Sequence, residues 1–133
     1  DRQARDHLRE LETPPPGCAD KVEIVTSDAI SADTIMRHLA GAAPGSVAVI
    51  DYLQILDQQR SKPALADQVQ SLSTHARKTG LILGVLSQID RAFDPAARRL
   101  PDLGDIRLPN RVDLSLFTKA CFVQDGEARF QGG

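Results

Sequence analysis

Two short apolar runs with an amphipathic stretch between them constrain the fold of this chain most strongly. Val47–Ile50 (VAVI) and Leu81–Leu86 (LILGVL) contain no polar residue, which is typical of parallel strands buried on both faces. The stretch between them has an apolar stripe at helical spacing, formed by Leu65, Val69, Leu72 and Ala76. Arg77 and Gly80 suit the end of that helix. The pattern predicts an α/β fold with a right-handed strand, helix, strand unit.

A second strand and helix are predicted upstream. Val22–Thr26 (VEIVT) is short and β-branched, as in a strand. Ser31 is a good helix N-cap, and Asp33 stands in the first turn, where a negative charge is favoured. Gly41 can let the chain leave that helix in a left-handed conformation.

The first residues predict a separate helix within residues 1–13, which Pro14–Gly17 would end. The charged start does not resemble a secretory signal, and no apolar run approaches the ~20 residues of a membrane span. We therefore expect no membrane association and a cytoplasmic location. The chain does not begin with Met, so we interpret its 133 residues as an excerpt that forms one partial domain.

The second half of the chain predicts a long loop followed by a hairpin. Residues 91–119 are rich in Pro, Asp and Arg, with a short helix expected around Asp113–Phe117, and loops of this length usually have a functional reason. Residues 120–130 predict two strands joined at Asp125-Gly126, a dipeptide suited to positive φ. The domain thus divides into a core of residues 22–90, the long loop and the hairpin.

Composition excludes several classes of site. The formal charge of -2 gives no overall attraction to nucleic acid, so any such contact would need a local patch. Cys18 and Cys121 lack the spacing of a zinc site or a disulfide framework, and we expect Cys121 in the core. The three histidines, which lie on separate predicted helices, are more typical of helix packing than of metal binding.

Polar residues follow both apolar runs at the point where each predicted strand ends. Asp51 follows the first run, and Ser87-Gln88 follows the second. Open α/β sheets bind ligands at the carboxyl ends of their strands, so Asp51 could hold a magnesium ion through water and Gln88 could donate to a phosphate. Taken singly, each has a plainer interpretation, since Asp51 could simply end a strand and Ser87 could begin a turn.

Together these segments resemble a known family. Val47–Leu56 (VAVIDYLQIL) and Leu81–Arg91 (LILGVLSQIDR) are similar to the Walker B and SQ segments of DnaB-type replicative DNA helicases, whose pattern is DYLQ followed by SQ-x-x-R. Leu103–Arg107 (LGDIR) resembles the family's LSDLR stretch. The likeness covers most of the chain from Val22 to Phe130. It implies a RecA-like P-loop NTPase fold, with a parallel sheet flanked by helices and a C-terminal hairpin.

The resemblance implies ATP and Mg2+ as cofactors of the intact protein, and we expect neither to bind tightly to this chain alone. Asp51 would support the metal and Gln88 would sense the terminal phosphate, so both are candidate catalytic residues. Tyr52 and Ser87 would complete the cofactor site, with Gln54 helping to shape it. Arg91, Asp105 and Arg107 match positions on or near a loop that faces single-stranded DNA in the family, whose members are hexamers. The function implied is that of an ATP-dependent helicase that couples hydrolysis to movement on DNA.

Arg98 and Arg99 form a basic pair on the long loop, close to Phe93, and could contact phosphates of a DNA strand. A solvated pair that balances Asp94 and Asp102 explains the same residues. We therefore take Arg91, Arg98, Arg99 and Arg107 as candidate nucleic-acid-binding residues.

The chain departs from the family in one respect. No Gly-x-x-x-x-Gly-Lys-[Ser/Thr] loop is present to surround phosphates with donors, so we expect no ATP hydrolysis by this chain alone. The missing P-loop strand should leave exposed apolar surface or an unpaired edge, which could lead to dimerisation or strand exchange. A catalytically inactive RecA-like interaction module is the alternative function. A receiver-like domain would explain Asp51 but neither SQ-x-x-R nor LGDIR.

Overall fold

The computed structural model describes residues 21–132, so the predicted helix of residues 1–13 and its proline linker lie outside the described residues. The helices are α1 (Ala32–His38) and α2 (Leu65–Thr79), and the strands are β1 (Val47–Ile50), β2 (Ile82–Val85), β3 (Ala120–Gln124) and β4 (Glu127–Gln131). Short 3-10 helices cover Leu53–Asp57, Leu103–Asp105 and Leu114–Leu116. Within residues 21–132, no helix combines the length and apolar character needed to cross a membrane.

The predicted strand, helix, strand unit is confirmed in its elements. β1 and β2 pair in parallel, with Val47 opposite Ile82 and Ile50 opposite Val85, and α2 connects them. Gly80 ends α2 at a φ of 73°, and its N–H donates to Ala76 O at 2.9 Å. The apolar runs predict the two strands, and the residues around Gly80 predict the end of α2, all to within one residue of the observed bounds.

The expectation that both strands are buried on two faces is wrong. Ile50, Leu83 and Val85 face a core built with α2, whereas Val47 and Ile82 are 65% and 56% exposed. Val49, on the same face as Val47, is 62% exposed. The reason is that α2 packs against one side of the sheet and no described element covers the other. The expected exposure of apolar surface is thus present.

The upstream segment agrees with the sequence in its helix but not in its strand. Val22–Thr26 forms no strand, because β-branched residues favour a strand only where a partner offers hydrogen bonds, and none of the described strands pairs with them. At α1, the Ser31 side chain accepts from Thr34 N at 3.2 Å, which confirms the predicted cap. Gly41 has a φ of 80°, so its predicted left-handed conformation is confirmed.

A buried glutamine joins α1, α2 and the 3-10 helix Leu53–Asp57. Gln68 is 2% exposed and lies between Leu65 and Leu72 on the inner face of α2. Its Oε1 accepts from Ala32 N at 3.0 Å, and its Nε2 donates to Leu56 O at 2.7 Å and Pro63 O at 2.9 Å. A buried amide is stable only when its donors and acceptor are paired, and here they are.

The predicted hairpin is confirmed. β3 and β4 pair antiparallel around Asp125 and Gly126, whose φ values are 47° and 79°. The prediction that Cys121 lies in the core is wrong, because its thiol-bearing side chain is exposed. Side chains alternate across a strand, and here the neighbouring Phe122 takes the inward position at 5% exposure.

The segment between β2 and β3 has more local structure than a long loop implies. Ile89 and Ile106 form an isolated antiparallel bridge that folds the chain back on itself. Asp102 caps the 3-10 helix Leu103–Asp105, with its side chain accepting from Gly104 N at 2.8 Å. The 3-10 helix Leu114–Leu116 lies where a short helix is predicted.

Candidate site at the carboxyl edge of the parallel sheet

The ends of β1 and β2 stay joined beyond the last paired residues of the strands. Leu86 N donates to Ile50 O at 3.0 Å, and Leu53 N donates to Leu86 O at 2.7 Å. Asp51 and Ser87, each in the segment just after its strand, therefore lie at one edge of the sheet. This is the edge where parallel sheets bind ligands.

Gln54 brings three separate sequence motifs together at this edge. It lies in the 3-10 helix that is anchored by the buried side chains of Leu53 and Leu56. Its Nε2 donates to Ser87 Oγ at 3.1 Å and to Arg107 O at 2.6 Å, while its Oε1 accepts from Gln88 N at 3.4 Å. One side chain thus links DYLQ, the Ser87-Gln88 pair and the LGDIR stretch.

Arg107 and Gln88 form a second connection at the same place. Arg107 N donates to Gln88 O at 3.0 Å, and Arg107 Nη1 donates to Gln88 Oε1 at 3.4 Å. A guanidinium group can only donate, so the Gln88 amide must present its oxygen to Arg107. Within the described part of the chain the Nε2 group of Gln88 makes no hydrogen bond, so it can donate to an anion at this edge.

The acidic group at the edge is accessible. Asp51 is exposed and takes no part in the ion pairs found among residues 21–132. Those residues contain no cluster of three or more metal-ligating side chains. A single carboxylate suits Mg2+, which usually keeps several waters and shares its remaining positions with substrate phosphates. Among the described residues, Asp51 is thus a single accessible carboxylate at this edge.

Tyr52 lies between Asp51 and the 3-10 helix Leu53–Asp57. It is half-buried and occupies the N-cap position of that helix in an extended conformation, with no side-chain capping bond. Its part in a cofactor site stays a prediction.

Arg98 is held by acidic residues of its own loop. Its guanidinium contacts Asp105 Oδ1 at 2.6 Å and Asp102 Oδ2 at 3.1 Å, and it lies over the Phe93 ring at 5.4 Å from the centroid. The hydrogen bond from Arg98, with a second from Asp102 N, lowers the pKa of Asp105. The same bond to Asp105 raises the pKa of Arg98. The ion pair thus favours the charged form of Asp105 and joins two parts of the loop.

The other candidate arginines differ in their surroundings. Arg99 pairs with Glu127 of the hairpin, so its charge is also matched within the chain. Arg91 is exposed in a turn after the Ile89–Ile106 bridge. Arg107 is exposed and is the candidate arginine that contacts the Ser87-Gln88 motif directly. The structure thus brings Asp51, Gln88 and Arg107 to one edge and places Arg98 and Arg99 in ion pairs.

An apolar cavity of about 400 Å³ lies away from these residues, between α2, the inner face of the sheet and residues 116–119. Its lining includes Leu72, Ala76, Leu83 and Phe117, but none of the polar residues of the edge. The cavity lining also includes the polar residues Ser73, Arg77, Thr118 and Lys119. On α2, the Nε2 atom of His75 is buried and has no hydrogen-bond partner among residues 21–132.

Sequence reasoning missed two parts of this arrangement. It placed Gln54 in the site but did not identify its hydrogen-bond partners. Contacts between residues that lie 33 and 53 positions apart leave no local pattern in the sequence. It also passed over Gln68, although a polar residue within an apolar helical stripe is a signal that a buried amide is needed there.

Comparison with protein-family models, curated proteins and solved structures gives no match to this chain.

Proposed function

We propose that this chain is part of the ATPase core of a DNA helicase of the DnaB type, which couples nucleotide hydrolysis to movement on single-stranded DNA. The observation that carries the proposal is the hydrogen-bonded union of DYLQ, Ser87-Gln88 and LGDIR through Gln54. Each motif supports the resemblance by its own residues, although the three lie far apart in the sequence. The hydrogen bonds of Gln54 bring them into contact at one site. A helicase of this type would act as a homo-oligomer with ATP and Mg2+.

In this proposal each polar residue of the edge has a distinct task. Asp51 supplies a negative charge for the nucleotide-bound magnesium ion, which when present would neutralise the phosphate charge. Gln88 donates its Nε2 group to the terminal phosphate without adding a charge of its own. Arg107 holds the oxygen of that amide, so the donor faces the ligand rather than the loop.

The metal site can be tested by adding Mn2+ and ATP to the isotope-labelled chain and measuring paramagnetic broadening of backbone amides by NMR. We expect the strongest broadening at Asp51 and Tyr52, with Ser87 and Gln88 next, because these residues share the edge. Asp51→Asn should abolish it, since the neutral amide is a much weaker ligand for a hard cation.

Asp125→Asn is the matched control, because it removes an exposed carboxylate in the hairpin turn, where Asn also tolerates positive φ. This variant should broaden like the unchanged chain. Broadening that survives in Asp51→Asn would contradict the proposal. It would favour the inactive interaction module, which needs no metal at this position.

Single-strand binding tests the second half of the proposal. We expect Arg91→Ala, which removes an exposed charge of the long loop that forms no ion pair among residues 21–132, to bind a fluorescent oligonucleotide more weakly at low salt, with a smaller salt dependence, because phosphate contacts release counterions. Arg37→Ala, which removes an exposed charge from α1, is the control. An equal loss in both variants would indicate nonspecific attraction and would argue against the loop as a DNA contact.

A further inference from the structure

Gln54 is the side chain at the edge that contacts both the segment after β2 and Arg107 within the long loop. The donor contacts to Ser87 Oγ and Arg107 O are 3.1 and 2.6 Å, and the acceptor contact from Gln88 N is 3.4 Å. A carbonyl oxygen can only accept, so the contact with Arg107 O fixes which end of the Gln54 amide carries the nitrogen. Its orientation is therefore determined by its partners.

We infer that Gln54 is a positioning residue, which holds Gln88 and the Leu103–Arg107 segment in a fixed relation so that a change at the phosphate-facing amide reaches the loop. The inference rests on the proposed function. The path it assigns is short, since Gln88 is bound to Arg107 through both backbone and side chain, and Gln54 is bound to both of those residues.

The path continues into the loop through contacts of the two residues that precede Arg107. Asp90 N donates to Asp105 O at 2.6 Å, next to the bridge between Ile89 and Ile106. Asp105 in turn holds Arg98 through its carboxylate. A displacement of the Gln88 segment is therefore transmitted to the loop that carries the candidate DNA contacts, provided that Gln54 keeps the two segments together.

The test compares amide hydrogen exchange in Gln54→Met, Gln54→Glu and the unchanged chain. Met keeps the length of the side chain but makes none of its hydrogen bonds. We expect exchange at Arg107 N to accelerate about tenfold, the effect of losing one to two net hydrogen bonds. Exchange at Leu86 N, which bonds to Ile50 O within the sheet, should stay within about twofold of the unchanged chain.

Gln54→Glu separates the contact with Gln88 N from the contact with Arg107 O. A carboxylate can still accept from Gln88 N but cannot donate to Arg107 O. It should accelerate exchange at Arg107 like the Met variant while leaving the chemical shift of Gln88 N near its original value. Gln59→Met is the control, since Gln59 is exposed and its amide contacts Asp28 O instead. It should change neither signal.

Measurements with added nucleotide distinguish a positioning role of Gln54 from a purely structural one. In the unchanged chain we expect Mg2+ and ATP, which cause no paramagnetic broadening, to shift the amide signal of Arg107. In Gln54→Met, Mn2+ and ATP should still broaden Asp51, but Mg2+ and ATP should no longer shift Arg107. Equal acceleration at Leu86 and Arg107, or a shift of Arg107 that persists, would overturn the inference. If the unchanged chain shows no broadening at Asp51 even at millimolar Mn2+ and ATP, which would detect the weak binding expected without a P-loop, the proposed function fails, while the exchange comparison still decides whether Gln54 holds Arg107.

Discussion

Two glutamines, Gln54 and Gln68, connect elements that are far apart in sequence, and they differ in what their contacts are for. Gln68 is 2% exposed and satisfies backbone groups that would otherwise be buried without partners. Gln54 is half-buried at the carboxyl edge of the sheet, where its partners belong to the candidate site. The same residue type therefore satisfies buried backbone groups in one place and has a proposed positioning role in the other.

Replacing Gln68 by Leu should lower the free energy of unfolding by about 2–4 kcal/mol, because Ala32 N and Leu56 O would lose their partner in a site without room for a hydrogen bond to water. Urea unfolding followed by circular dichroism measures the change. Gln70→Leu on the exposed face of the same helix is the control and should stay within about 0.5 kcal/mol of the unchanged chain. Similar losses in both variants would contradict the role given to Gln68.

At the scale of elements, the end of α2 sets how the chain enters β2. Gly80 is left-handed at a φ of 73°, and its O atom accepts from Gly45 N at 2.8 Å, so the helix end is tied to the segment before β1. A Cβ atom at this position would lie 3.2 Å from Pro44 Cβ. Backbone strain and close packing therefore coincide at one residue.

A comparison of Gly41 with Gly80 separates the cost of backbone strain from the cost of close packing. Gly41 has a φ of 80°, but a Cβ atom there would meet nothing within 4 Å. Gly41→Ala should cost about 1 kcal/mol from the left-handed backbone alone. Gly80→Ala should cost about 1 kcal/mol more, because Pro44 must move as well. Equal losses in thermal unfolding would show that the contact with Pro44 is relieved without cost.

At the scale of the whole molecule, the elements within residues 21–132 cover one face of the parallel sheet and leave the other face uncovered. Val47, Val49 and Ile82 are more than half exposed, and they lie side by side in the register of β1 and β2. Exposed apolar surface of this kind marks an interaction site or an association hazard. We therefore expect the chain to self-associate through this face as protein concentration rises.

The double variant Val49→Thr, Ile82→Thr should weaken that association by about tenfold or more, because it removes apolar area while Thr keeps a high strand propensity. Sedimentation velocity over a range of concentrations measures the effect. Val123→Thr, at an exposed position of the hairpin, is the control and should associate like the unchanged chain. A monodisperse monomer at every concentration would exclude association through the sheet.

The sequence by itself determined the elements whose signals are local. The apolar runs of β1 and β2, the stripe and glycine end of α2, the Ser31 cap and the Asp125-Gly126 turn each depend on neighbours within a few residues. The shared edge of Asp51 and Ser87-Gln88 also followed from sequence, because parallel strands place their carboxyl ends together.

Only the tertiary structure decided which groups meet across long separations and which faces are covered. Val22–Thr26 and Cys121 were assigned wrongly because strand propensity and apolar character do not say whether a partner strand or a covering element exists. The contacts of Gln54 and Gln68 join residues brought together by packing, so no local pattern specifies them. Burial and long-range hydrogen bonding are properties of the assembled chain, and propensity is a property of its segments.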